Sequence, residues 1–231
     1  MKRFYKQVSA EQTELGWQVT LDGRPVKTQG GRIQAVPNAA LADMLRREWD
    51  EQGEEIDPTR FFTRDMVDYA IDIVGQDREA SIARLIRYAE TDTLCYRADP
   101  DEPLWKRQQE VWEPLVTAFE AREGVRLERV SGIVHRAPAP DTLATLRARL
   151  EGMDALLLAP LESLTALAAS LCIGLAALDP DADGSALWDA ANLEEDWQAE
   201  NWGSDEEAAA RREKKRSEFL AALEFARAAR R

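Results

Sequence analysis

The feature that most constrains the fold is a run of apolar residues at 161–178, LESLTALAASLCIGLAAL. Drawn as a helix, the run is apolar on every side, and a helix without a polar face has to be buried. A membrane span would need about 20 mostly apolar residues, and here Pro160 and Glu162 interrupt the run. We therefore expect one buried core helix, with the rest of the C-terminal half of the chain packed around it.

Composition narrows the class of protein. With 231 residues and 45% hydrophobic content, the chain is long enough to bury a core. Its net charge of −13 would repel a phosphate backbone, so we expect no nucleic-acid partner. Cys95 and Cys172 lack CxxC spacing and are expected to be reduced and buried, and the single His135 leaves little material for a metal site. Because no signal or transit peptide is recognisable, we expect a cytoplasmic protein without membrane insertion. Since metal-ligand clusters and nucleotide-binding motifs are missing from the sequence, we also expect no cofactor and no metal.

The first 37 residues are expected to form a small antiparallel sheet. Asp22-Gly23 is a strong signal for a two-residue hairpin, and Gly30-Gly31 supplies a second turn. A sheet of this size is not stable alone, so it should pack on the helices that follow. Strands are predicted at residues 3–8, 17–21, 25–28 and 32–36.

From Asn38, a candidate helix cap, the chain is predicted to be helical. The fold class is therefore α+β, with a β-rich N-terminal domain at residues 1–37, or as far as residue 60, and an α-helical domain at residues 38–231. Pro114 lies inside one amphipathic helix, which either kinks there or consists of two helices. Helices are predicted at residues 38–53, 63–75 (capped by Thr63), 78–90, 101–122, 141–150 (capped by Asp141), 161–178, 185–201 and from Ser204 onward.

The predicted helix at 185–201 carries a polar stripe beside its apolar face. Glu194 and Gln198 lie on the border between the two, with Glu195 and Trp202 slightly further round. A carboxylate, an amide and an indole on one side of a helix can hold a protein partner. The alternative is that the polar pair only rims the core and Trp202 completes it at a helix end. The apolar face, which should meet the core helix, carries Ala186, Ala190, Leu193 and Trp197.

No catalytic residues are predicted. Glu194 and Glu195 are adjacent acids, but neighbouring positions on a helix point about 100° apart, which makes them a poor acid–base pair. The chain also contains no GxGxxG, GxxxxGK[ST] or GxSxG motif. A hydrolase that uses these two glutamates is the less favoured alternative.

Five segments, spread over nearly the whole chain, carry a family resemblance. They are RFYKQV followed by VTLDGRPVKT, LRREWDEQGEEIDP, YAETDTLCYRAD, QQEVWEPL and LEEDWQAENWGSDEEA. In this order they resemble the assembly chaperones that bind the α subunit of the ATP synthase catalytic head, the mitochondrial F(1) complex assembly factor 2-like family.

The resemblance implies a bacterial, cytoplasmic, non-enzymatic chaperone that is monomeric when free. Its client would be the free ATP synthase α subunit, whose subunit interface it would shield until that subunit pairs with β. The alternative is a non-catalytic acidic scaffold or adaptor with another protein client. In the family an acid in an LEExxQ segment before WG is linked to function, and this implies partner-binding roles for Glu194 as first choice, Glu195 as close alternative, Gln198 and Trp202.

These assignments imply three different responses to mutation. Glu194→Lys should weaken client binding and leave stability nearly unchanged, because a charge at an interface is reversed. Trp197→Ala should lower stability first, because it removes a core side chain. Leu171→Asp should unfold the protein, because it places an unpaired charge in the predicted core helix.

Overall fold

The computed structural model describes residues 1–132, 135–203 and 205–230. The α+β class is confirmed, since a small antiparallel sheet near the N-terminus is followed by a larger helical region. The predicted domain boundary at residue 37 stays a prediction. The described chain forms two compact units, the first made of Met1–Arg78, Asp154–Pro160 and the residues from Glu224 onward, the second of Glu79–Met153 and Leu161–Leu223.

The sheet of the first unit is antiparallel throughout, with its second strand pairing with the other three. The Asp22-Gly23 turn is confirmed, because Leu21 pairs with Arg24 across it. Both turn residues have positive φ, 49° and 75°, as the favoured two-residue hairpin turn requires. The Gly30-Gly31 turn is also confirmed by a bridge between Lys27 and Ile33. The strands are β1 (Val8–Thr13), β2 (Gly16–Leu21), β3 (Arg24–Pro25) and β4 (Ala35–Val36).

Helix α1 (Ala39–Asp50) begins where the sequence predicts it, with the Asn38 side chain accepting from the Leu41 N–H at 2.9 Å. The sheet packs on this helix. The predicted strand at 3–8 is wrong because most of this segment lies against the end of α1 instead. The Arg3 guanidinium donates to the Gln52 carbonyl at 2.6 Å, and the buried Tyr5 hydroxyl donates to the Trp49 carbonyl at 2.6 Å.

Helix α2 (Phe62–Tyr69) continues into a π-helical turn, Ala70–Val74. Thr63 was expected to cap this helix, and that prediction is wrong. Its cap comes from α1, where the Glu48 carboxylate accepts from the N–H groups of Thr63 and Arg64 at 2.5 and 2.9 Å. A carboxylate at a helix N-terminus satisfies donors that have no partner within the helix.

The remaining helices follow the predicted order. Helix α3 (Arg78–Glu90) has the predicted boundaries, and the boundaries of the others differ. Helix α4 (Pro103–Glu123) runs unbroken through Pro114, and Asp141 lies in the first turn of α5 (Pro140–Glu151) instead of capping it. The predicted start of the last helix, Ser204, lies outside the described residues. A parallel pair joins β5 (Tyr96–Arg97) and β6 (Val130–Ser131). The helices are α3 (Arg78–Glu90), α4 (Pro103–Glu123), α5 (Pro140–Glu151), α6 (Ala155–Ala168), α7 (Leu171–Ala177), α8 (Gly184–Ala191), α9 (Leu193–Trp202) and α10 (Glu206–Ala229).

The apolar run at 161–178 is not one helix, so that prediction is wrong. Ala169 has a φ of +48°, and its carbonyl accepts from the Thr93 N–H and hydroxyl at 3.3 and 2.9 Å. Ser170 then caps α7 by accepting from the Ile173 N–H at 3.1 Å. Helix α7 is buried as expected, whereas α6 exposes Ala166. None of the helices in the described parts of the chain is both long enough and apolar enough to cross a bilayer.

The predicted helix at 185–201 is also divided. Helices α8 and α9 meet at Asn192, whose φ of −106° and ψ of 16° are not helical and whose side-chain amide donates to the Trp188 carbonyl at 2.8 Å. Because of the break, residues before and after Asn192 do not share one continuous helix face. Ala186, expected on the apolar face, is exposed, and Leu187 and Trp188 are buried in its place.

Candidate functional site

Of the four predicted partner-binding residues on α9, one is half-buried and three are exposed to solvent. Leu193 is its one buried residue. Glu194 is half-buried, whereas Glu195 and Gln198 are exposed. Trp202, at the C-terminal end of the helix, is 78% exposed.

Glu194 is bound into a polar network inside the second unit. Its Oε1 accepts a hydrogen bond from the side-chain amide of Gln108 on α4 at 2.7 Å. Gln108 is fully buried, and its Oε1 accepts from the Ala98 N–H at 2.8 Å. The buried Arg97 guanidinium donates to the Gln108 carbonyl at 3.0 Å. Burial raises the pKa of the Glu194 carboxyl, and the hydrogen bond from Gln108 partly opposes this effect.

Glu195, Gln198 and Trp202 share a groove between α9 and α10. Acidic residues line its α9 side and basic residues its α10 side. An ion pair joins the two sides, since the Arg212 guanidinium donates to the Asp196 carboxylate at 2.7 Å. We call this the α9/α10 groove, and its charged and aromatic residues are Glu195, Asp196 and Trp202 on α9 with Arg211, Arg212 and Lys215 on α10.

Trp197 is not a core residue, so that prediction is wrong. It is half-buried, and the Arg107 guanidinium lies 5.8 Å from the centre of its ring. Arg107 is held by a bidentate ion pair with Glu200. The core aromatic of this region is Trp188, which is fully buried with its ring centre 5.6 Å from that of Phe219. The adjacent apolar residues Leu187 and Trp188 could have pointed to this core position. They do so only if the segment is divided at Asn192, because in one continuous helix Trp188 does not lie on the predicted apolar face.

The geometry separates Glu194 from Glu195. The first carboxylate meets Gln108 while the second lines the α9/α10 groove, so the two do not face a common pocket. Cys95 and Cys172 are buried and free, as expected. Burial raises the pKa of the Cys95 thiol to about 12, which leaves it protonated and a weak nucleophile. Within the described ranges, no group of three His, Cys, Asp or Glu side chains is placed to hold a metal ion.

Comparison by sequence relates the chain to one family. Residues 2–120 match a family model described as ATP12 chaperone protein. The chain is 27% identical over 219 residues to the protein atp12, mitochondrial, of Schizosaccharomyces pombe, a match that covers 90% of this chain and 75% of the relative.

Comparison by structure extends the relationship over the whole chain, including α9. The crystal structure of Atp12 from Paracoccus denitrificans superposes with a TM-score of 0.94 at 32% identity, covering 99% of this chain and 98% of the other. A crystal structure from Agrobacterium tumefaciens superposes with a TM-score of 0.92 at 35% identity, covering 97% and 85% of the two chains.

Proposed function

The chain belongs to the ATP12 chaperone family, and from this membership we propose that it binds the free α subunit of ATP synthase during assembly of the catalytic head. The chaperone covers the face of the α subunit that later pairs with β, because exposed apolar interfaces associate with wrong partners. Release needs no ATP. It requires only that the interface with β be larger and tighter than the interface with the chaperone.

The observation that carries this proposal is the exposure of Trp202. The Trp202 indole is 78% exposed at the end of a helix, so a partner that covers it removes a large apolar surface from water, which favours binding. Tryptophan is also among the residues that most often dominate the binding energy of protein interfaces. Glu195 and Gln198 line the same groove and supply directed polar contacts around the indole. We propose that these three residues touch the client.

We propose a different role for Glu194. Its carboxylate is hydrogen-bonded to the buried Gln108 and is only half-accessible. It therefore supports client binding by holding α9 against α4, whereas Glu195 is the acid that faces the client. We also propose that the protein acts as a monomer in the bacterial cytoplasm, without a cofactor and without enzymatic activity.

Co-expression with the α subunit tests the proposal. The parent chaperone should keep the α subunit soluble and be recovered with it in a particle that lacks β. Trp202→Ala should lower the affinity at least about tenfold, or ~1.4 kcal/mol, as expected for a central interface aromatic. Leu15→Ala, which removes a 64% exposed side chain on the first unit, is the matched control and should leave binding unchanged.

Three outcomes would replace the proposal. Recovery of a different client from the cell, with no α subunit, would favour an adaptor. Equal binding of the α subunit by the parent and by Trp202→Ala would place the site elsewhere. Turnover in a screen of hydrolase substrates that is lost in Glu194→Gln or Glu195→Gln would favour the enzymatic alternative.

A further inference from the structure

The N-terminal sheet is a basic part of an acidic protein. Residues 1–36 contain six Lys or Arg and three Asp or Glu, a net charge of +3, while the whole chain carries −13. Charge that is segregated against the sign of the whole chain creates a local positive potential, which attracts partners of negative charge. The feature lies in the first unit, and the function proposed for the α9/α10 groove does not use it.

A pocket of about 530 Å³ lies in this basic region, lined by the N-terminal segment, the β2–β3 hairpin, α1 and α2. Its lining includes the apolar side chains of Leu21 and Val26. Phe4 also lines it and is 64% exposed. Ring contacts run from this residue inward, since the Phe4 and Tyr5 ring centres are 5.3 Å apart and those of Tyr5 and Trp49 are 5.6 Å apart. We call it the Phe4 pocket.

Two cations at the Phe4 pocket lie outside any ion pair of the described residues, although Arg24 is close enough to Asp22 to help lower the pKa of that carboxyl. Arg24 and Lys27 both line the pocket and are exposed, and neither forms an ion pair with any residue that the structure describes. Arg64, the third cation in the lining, is already paired with Asp65 at 2.5 Å. The unpaired positive charge therefore sits on the hairpin side of the pocket.

Two carboxylates also line the Phe4 pocket, but both are already engaged. Asp22 accepts from the backbone N–H groups of Lys6 and Gln7 at 3.1 and 2.9 Å, and these bonds lower the pKa of its carboxyl. Asp68 is buried and accepts from the Gln34 side-chain amide at 2.6 Å. Neither carboxylate forms an ion pair with Arg24 or Lys27, and with Arg64 the lining holds three cations against two carboxylates, which leaves a net positive charge for a ligand.

Half of the residues that line the Phe4 pocket are apolar or aromatic, and Tyr5 and Trp49 are among them. The indole N–H of Trp49 is shielded from solvent and is not part of the pocket surface. Apolar walls and cations outside any ion pair together suit a ligand that is apolar at its centre and acidic around it.

We propose that the Phe4 pocket docks an acidic segment of a protein partner. An aromatic or aliphatic side chain of that segment packs against Phe4 and Val26, while its carboxylates lie beside Arg24 and Lys27. Phosphate backbones are the weaker match, because the pocket walls are apolar and the rest of the chain is strongly acidic. This surface lies in the first unit and goes beyond the client site proposed on α9.

Fluorescence anisotropy with a labelled 12-residue peptide of alternating Glu and Phe tests the proposal on the full chain. The parent should bind it, and the double variant Arg24→Glu/Lys27→Glu should lose at least tenfold in affinity. Phe4→Ala should lose about fivefold, because the exposed ring no longer packs on the peptide. Melting temperatures measured in parallel show that each variant is folded.

Matched controls isolate the pocket. Arg87→Glu/Lys106→Glu changes the net charge by the same amount at two exposed positions outside the pocket, and Ile73→Ala removes a 53% exposed apolar side chain of the first unit that does not line the pocket. Both should bind the peptide as the parent does. Trp202→Ala should also bind it normally, so that a failure of this proposal is distinguishable from a failure of the α9 site.

Several results would overturn the proposal. One is that the parent does not bind the peptide, and another is that it binds equally well a peptide with Lys in place of Glu. Equal losses in the pocket variant and in the charge control would show non-specific attraction. Tighter binding of a 12-nucleotide single strand, lost on reversal of Arg24 and Lys27, would identify a phosphate site instead.

Discussion

Two helix breaks, one at Ala169-Ser170 and one at Asn192, differ in how deeply the helix that follows each break is buried. Both interrupt a segment whose sequence is typical of one continuous helix. After the first break the chain enters α7, which is buried along most of its length. After the second it enters α9, which has one buried residue, Leu193. The first break is followed by a helix of the core, and the second is followed by a helix that lies at the surface.

The polar groups at the first break are bonded inside the protein. The Asp92 side chain is fully enclosed and accepts from the N–H groups of Leu94 and Cys172 at 3.1 and 2.9 Å, while burial raises the pKa of its carboxyl. At the second break the Asn192 side chain bonds to its own preceding turn. Polar groups that are buried and fully bonded indicate a structural joint. Trp202, on the helix that follows the second break, is exposed and is the residue that we propose as a client contact.

The largest expected effect tests the burial of α7. Leu171→Asp should destabilise the fold by about 4 kcal/mol or more, because Leu171 is 1% exposed and the substitution forces a carboxylate into the apolar core. A loss of that size is a large part of the ~5–15 kcal/mol that holds a typical domain. Urea denaturation followed by circular dichroism measures it. Ala166→Asp on the exposed side of α6 is the control, and equal losses in the two variants would contradict the assigned burial.

The next prediction contrasts the two tryptophans on either side of the Asn192 break. Trp188→Ala should cost about 3–5 kcal/mol, because it empties a fully buried site beside Phe219. Trp202→Ala should change the free energy of unfolding by no more than about 0.5 kcal/mol, as is usual for surface positions. Denaturation curves of both variants are the measurement, and a large loss in Trp202→Ala would make that residue structural.

A smaller effect is expected at the two adjacent acids of α9. Glu194→Lys should destabilise by about 1–3 kcal/mol, because an ammonium would be placed against the amide donors of Gln108. Glu195→Lys, at an exposed position, should stay within about 0.5 kcal/mol while weakening α-subunit binding. This revises the expectation from sequence that Glu194→Lys leaves stability unchanged. Thermal melts and client affinity, measured on both variants, separate the two roles.

The smallest effect is the pH dependence of Glu194. Its folded-state pKa is raised by burial, so the native protein holds this proton up to a higher pH than the unfolded chain, for which the pKa is about 4.3. The contribution of Glu194 to stability is therefore lost as pH rises from the unfolded value through the folded one. Glu194→Gln should remove this decline, so its stability relative to the parent should increase across that window. A constant difference between the two proteins would contradict the assigned burial.

Local signals in the sequence predicted those features whose partners are close along the chain. Asn38 caps α1 through a bond to Leu41, three residues away, and the Asp22-Gly23 turn needs only its own backbone conformation. The helix predicted at 78–90 has the same boundaries in the structure. The five ordered segments indicate the family by sequence alone. The cap and the turn depend on interactions between residues a few positions apart. The family resemblance depends only on the order of sequence segments, which can be compared with those of known proteins.

Tertiary structure decided the features whose partners are distant. The break at Ala169 depends on Thr93, 76 residues away, and α2 is capped by Glu48 of another helix. Glu194 is half-buried because it meets Gln108, 86 residues away. A helical wheel assigns a residue to a face but does not determine whether another element covers that face. The sequence by itself determined that α9 carries acids, an amide and an indole. Packing against α4 and α10 determined that Glu194 is half-buried while Trp202 remains in solvent.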